Sequence, residues 1–241
     1  LRDRGRLVAT LIFPFIFIAA LGGALQASFG PIAGYDFLVF TFTGVLAQTM
    51  WQTTALGLIS LIEDRENDFS QEIFISPISR YSIVFGKIVG ETLVALPQGL
   101  AVTLFGLVLQ VPISLQQAIG LIGGSVIVAV FGGGFGLLVL SNLRSQRAAN
   151  QIFPFVMLPQ FFLAGVFSPI KDLPLYLDIL SKLSPMRYAV DFVRGLYYTG
   201  TPEYDRVVLL DPFTNFTIIA ALFVAFMLVG TVLFVRAERN R

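Results

Sequence analysis

The chain has 241 residues, 56% of them hydrophobic and only 13% charged, with a net charge of +1 and a mean hydropathy of +0.81. A soluble domain is about a quarter charged, so these apolar side chains call for the bilayer as solvent, and the near-neutral balance excludes nucleic acid or a strongly acidic partner. Cysteine and histidine are both absent, which removes disulfides, thiolate nucleophiles, imidazole bases and the usual transition-metal ligands together.

A helix crosses the hydrocarbon with about 20 apolar residues. Six stretches are expected to do so: 7–29, 37–62, 83–109, 118–140, 152–167 and 213–235. Arg2, Arg4 and Arg6 precede the first, which outruns the about 7–15 residues of a signal h-region and is read as a retained span. Gly30-Pro31 is expected to break the chain after it. The second span carries Gln48 and Gln52 on one face, with Thr49 and Thr53 beside them. Uncharged polar groups like these hydrogen-bond between helices and equally suit a translocation path, so helix packing and pathway lining both stand.

Residues 63–82 form the next connection. Glu63, Asp64, Glu66, Asp68 and Glu72 face a single Arg65, while Phe69, Ile73 and Phe74 fall at i, i+4 and i+5. That pattern predicts a short amphipathic helix, ended by Ser76-Pro77. Its negative polar face suits an anionic leaflet poorly and a protein groove better.

In the third span, Glu91 is the one acid expected inside the membrane, with Lys87 placed to pair with it one turn earlier. Gly120 with Gly124, and Gly132 with Gly136, are small-xxx-small pairs on the fourth span. The fifth is short and contains Pro154 and Pro159, so it is expected to borrow a turn from residues 148–151 and to kink. Residues 169–200 then hold two short amphipathic helices. Leu173, Tyr176, Leu177, Leu180 and Leu183 make one stripe; Ala189, Phe192, Val193, Leu196 and Tyr197 make another. Neither has room to span, which predicts a re-entrant or interfacial hairpin.

Orientation follows from the short loops. Arg2, Arg4, Arg6, Arg65, Arg80, Lys87, Arg144, Arg147, Arg236, Arg239 and Arg241 fall on one side, and loops 30–36 and 110–117 on the other contain no Lys or Arg. The Arg-rich side is therefore cytoplasmic and includes both termini. The expectation is one all-α domain over residues 1–241 in the cell (plasma or inner) membrane.

Two blocks resemble a known family. Glu-Asp-Arg-Glu at 63–66, Phe-Ser-Gln-Glu-Ile at 69–73, Ser-Pro-Ile-Ser-Arg at 76–80 and Gly86-Lys87 are similar to the segment after the second helix of type-2 ABC exporter permeases, the membrane subunits of daunorubicin- and multidrug-type exporters. Ser168-Pro169, Leu173-Pro174, Leu183-Ser184-Pro185 and Tyr-Ala-Val-Asp-Phe-Val-Arg at 188–194 resemble the segment between that family's fifth and sixth helices. The resemblance implies a second permease copy, identical or not, and two copies of a separate ABC ATPase. The helix after the second span would be the coupling helix in the ATPase cleft, through Glu63, Arg65, Glu66, Phe69, Glu72, Ile73 and Phe74. No Gly-x-x-x-x-Gly-Lys-Ser/Thr occurs, since Gly86-Lys87 is followed by Ile88; ATP and Mg are thus expected on the partner, and this chain is expected to hold no cofactor and to catalyse nothing itself. A lipophilic or amphipathic cargo fits the abundance of Phe over Trp. A secondary transporter and a membrane-embedded enzyme are the rivals; the spans lack paired midplane charges for the first and clustered carboxylates for the second.

Overall fold

The computed structural model describes residues 11–66, 79–141, 143 and 145–239, and within them every regular element is a helix. In chain order these are α1 (Leu11–Ala33), α2 (Phe37–Gly57), its short continuation α3 (Ser60–Glu66), α4 (Arg80–Val108), α5 (Leu115–Leu140), α6 (Gln146–Leu163), α7 (Leu175–Leu183), α8 (Pro185–Tyr198), α9 (Tyr204–Val207) and α10 (Pro212–Arg239). Long spans start where a side chain can accept the first orphan amides. Asp36 accepts from Leu38 N at 2.7 Å and Val39 N at 3.2 Å. Ser114 and Gln117 form a reciprocal capping box on α5, and Ser79 and Ser145 cap α4 and α6.

Among the described residues five helices are long and apolar enough to cross a membrane: α1, α2 with α3, α4, α5 and α10. The expected fifth span overlaps α6, which begins at Gln146 and ends at Leu163, short of the expected 167, and which is not one of the five helices apolar enough to cross. Gln146, Arg147, Asn150, Gln151 and Gln160 make it more polar than its neighbours, and its 18 residues reach only about 27 Å. The break expected at Gly30-Pro31 is not there. Pro31 lies inside α1, and the helix ends at Gly34, whose φ of +71° supplies the left-handed stop that glycine tolerates.

The core is built around α2. Every residue from Val39 to Trp51 is buried, so this helix is enclosed on all sides, with α1, α4, α5 and α8 around it and α10 behind α5. Trp51 and Phe135 meet at 4.6 Å between ring centroids, and Phe131 stacks on Phe226 of α10 at 5.8 Å. In a bilayer, close backbone approach and interhelical hydrogen bonds supply much of the association, and α5 supplies the approach through Gly132 and Gly136.

The hairpin divides into unlike halves. On α8 the stripe Ala189, Phe192, Val193 and Tyr197 is buried as expected, with Leu196 half-buried. On α7 the expected stripe is turned mostly outward: Tyr176, Leu180 and Leu183 are exposed, as are Leu175 and Ile179 beside them, while Leu173 and Leu177 are half-buried. Ser181 is the buried residue of α7, so a hydroxyl, rather than the leucine stripe, docks this helix on the bundle.

Candidate functional site

Two polar constellations interrupt the apolar bundle. The first is at the hairpin end and centres on α8, whose spacing puts Asp191 and Arg194 one turn apart; each is 2% exposed. Arg194 Nη2 donates to Gly165 O at 2.7 Å, Val166 O at 3.2 Å and Phe40 O at 3.4 Å, and its Cζ lies 3.6 Å from the Phe40 ring centroid. Just past the end of α6, the first two carbonyls would otherwise be orphans at the negative pole of a helix. Ser181 completes that cap by donating to Leu163 O, and Arg187 Nη1 donates in turn to Ser181 Oγ at 2.9 Å.

Asp191 serves the opposite need. Its Oδ1 accepts from Leu209 N at 2.8 Å; its Oδ2 accepts from Leu210 N at 2.8 Å and Asn215 Nδ2 at 2.7 Å. Burial pushes its carboxyl above the usual range, opposed by Asn215, the two amides and the charge of Arg194. Burial likewise lowers the Arg194 guanidinium to about 10, with Asp191 opposing most, which leaves it protonated at neutral pH. Tyr197 Oη donates to Pro112 O, and Arg206 Nη1 to Gly34 O at 3.0 Å. Through α8 and α9, every interhelix connection at this end is tied to one plug.

The second constellation is the seam between α2 and α4. Gln48, 1% exposed, donates through Nε2 to Gln52 Oε1 at 3.2 Å, and Gln48 Oε1 is buried without a hydrogen-bond partner. Thr53 Oγ1 donates across the seam to Gln98 Oε1 at 2.7 Å. Lower down, Ser60 Oγ lies 3.5 Å from Glu91 Oε1. Gln52, Thr53, Leu56, Gly57 and Ser60 are half-buried while their neighbours on α2 are enclosed, so one polar edge of the seam is open.

The expected site residues are only partly in view. Gln48 and Gln52 share the face the spacing implied and are hydrogen-bonded to each other. Glu63 is exposed at the end of the second span; Arg65 and Glu66 belong to α3. Phe69, Glu72, Ile73 and Phe74 lie outside the described residues, as does most of the expected amphipathic helix. Asp191 and Arg194 were missed as structural centres. Their signal was present: with Arg187, they are the charges of a short helix whose other residues are almost all apolar or aromatic.

Residues 1–198 match the ABC-2 type transporter family. The chain is 30% identical over 141 residues to the probable multidrug ABC transporter permease YbhR of Escherichia coli K12, an alignment covering 58% of this chain and 38% of YbhR. It is 23% identical over 234 residues to the putative transport permease ycf38 of Cyanophora paradoxa, covering 95% and 81% of the two chains. With the inner membrane transport permease YadH of E. coli K12 it shares 24% over 227 residues, covering 92% and 86%. The family match covers most of the chain and its apolar spans accord with it: the chain belongs to the ABC-2 type transporter family of membrane permeases.

Proposed function

We propose that this chain is the permease subunit of an ATP-driven exporter, acting with a second permease copy and two copies of a separate ABC ATPase that binds ATP and Mg. Membership of the ABC-2 family carries this reading, and the acidic, aromatic-bearing connection after the second span supports it. Closure of the ATPase pair would drive the two coupling segments together and switch the path between packed halves as a rigid-body motion. The cargo is lipophilic or amphipathic, since the spans offer amides and hydroxyls in ones and twos rather than a dense polar lining.

In this reading α6 also crosses, as the fifth of six spans, the hairpin end is external, and both chain ends are cytoplasmic in the cell (plasma or inner) membrane. The chain has no native cysteine, so single-cysteine labelling is clean. A membrane-impermeant maleimide applied outside is expected to label Asp178→Cys and to miss Arg147→Cys; the reverse pattern refutes the topology.

The function itself is tested by vanadate-sensitive ATP hydrolysis in the complex purified with its ATPase, which a secondary transporter would not show. Phe69, Ile73 and Phe74 would anchor the partner, because apolar anchors supply most of the energy at such interfaces. Phe69→Ala with Phe74→Ala is expected to release the ATPase or uncouple hydrolysis from transport, and Glu72→Ala to do so more weakly. Full assembly and transport in a well-expressed double variant would remove this segment from the docking role.

A further inference from the structure

We propose that the open edge of the α2–α4 seam is a subsite for the cationic head of an amphipathic cargo, with Glu91 as its counter-ion; this rests on the exporter reading above. Among the described residues, Glu91 is the one carboxylate in the interior of a spanning helix. It stands about 16 Å along α4 from Arg80 and about 25 Å from Val108 at the helical rise. A carboxylate at that depth is costly, and such residues mark pathways more often than packing.

The surroundings are built for it. Gly57 is its seat: a Cβ there would lie 2.1 Å from Glu91 Oε2 and 2.4 Å from its Cδ. At the same level the helix is interrupted. Ile59 N bonds Leu56 O at 3.0 Å, Leu61 N bonds Leu58 O at 3.0 Å, and Ile62 N bonds Ile59 O at 2.9 Å, while Ser60 Oγ turns back to Gly57 O. Tightened or broken turns inside a span are where transporters place cargo and ion sites.

The edge is also graded in polarity. Lys87 stands one turn before Glu91 on the same helix. In the other direction, toward the hairpin end, the seam carries Thr53, Gln98, Gln52 and Gln48 and no charge. A charged head at Glu91 and Ser60 would have Leu56 for the start of its apolar body and the amides of Gln52 and Gln98 for further polar groups. An anionic head would be repelled by the Glu91 carboxylate at its seat, and an uncharged cargo gains nothing from that charge.

The test is equilibrium binding to the chain in nanodiscs, without nucleotide, corrected for empty nanodiscs. The probes are tetraphenylphosphonium, a permanent lipophilic cation, and neutral triphenylphosphine oxide. Wild type is expected to bind the cation saturably. Glu91→Gln should weaken it at least about tenfold and leave the neutral probe unchanged. Gly57→Ala keeps the charge but displaces the carboxylate, and should weaken the cation about threefold; it carries the test if Glu91→Gln does not fold. Three outcomes overturn the subsite: no cation binding by wild type, undiminished binding by the variants, or equal loss of both probes. Cation binding without ATP-dependent uptake into inside-out vesicles holding the ATPase would instead keep the subsite and remove the exporter reading.

Discussion

Gly132→Ala is expected to prevent this chain from accumulating in folded form, whereas Gly120→Ala on the same helix is expected to be silent. A Cβ at Gly132 would lie 2.2 Å from Trp51 O and 2.8 Å from Trp51 C and Cα; at Gly136 it would lie 2.5 Å from Ala55 O. These are backbone atoms of α2, the most enclosed helix in the bundle, so no rotamer change relieves the clash. The helices would have to part, and Trp51 would be drawn from its contact with Phe135. Overpacking in a tight core typically costs about 1–3 kcal/mol, sometimes more; a backbone collision between two enclosed spans belongs at the upper end, about 3 kcal/mol. At Gly120 the nearest atom to an added Cβ is Leu196 Cβ at 3.5 Å, an ordinary contact, and at Gly124 it is Leu196 Cδ1 at 2.7 Å, the end of a flexible side chain that can move aside. Fluorescence-detected size exclusion of the four alanine variants, with thermal unfolding of those that survive, gives the ranking. A monodisperse, wild-type-like Gly132→Ala would show that α2 and α5 do not meet backbone to backbone.

Both glycine pairs look the same in the sequence, because a spacing of four places two residues on one face without saying what stands opposite. That marks the general boundary of what could be read in advance. Uninterrupted apolarity, a property of each segment alone, located the first four spans and the last. It faltered at α6, where polar residues in the first turns and two prolines weaken the run, and at Pro31, because a helix end is set by the left-handed glycine that follows and not by a proline near it. The i, i+4 rule joined Gln48 to Gln52, which are neighbours on one helix. The same rule offered Lys87 to Glu91, but the seat on Gly57 and Ser60 depends on how α4 crosses α2. Likewise the leucine stripe of α7 was legible as amphipathic, while its outward direction follows from Ser181 and Arg187 docking the opposite face.

Arg194→Ala is expected to unfasten the hairpin end. Its removal takes the donor from the carbonyls of Gly165 and Val166 in an apolar setting, while Phe40 O keeps Thr43 Oγ1, and it leaves Asp191 buried without a neighbouring cation. Removing one member of such a buried set costs about 3–5 kcal/mol. Arg194→Lys should recover only part of this, since an ammonium is a compact, strongly hydrated charge that cannot lay a planar group over the Phe40 ring. Asp191→Asn tests the other half with almost no change of shape. Three donors converge on the two carboxylate oxygens, so in either amide orientation an NH2 group faces a backbone or side-chain N–H, and leaving that buried donor unsatisfied costs about 1–3 kcal/mol. The expected order of thermal stability in nanodiscs is wild type, then Asp191→Asn and Arg194→Lys, then Arg194→Ala. Proteolysis between α8 and α10 should accelerate in the same order, because α8 holds the start of α10 through Asp191. If Arg194→Ala melts and resists protease like wild type, the carbonyls it serves have other donors and the plug is not what joins these helices.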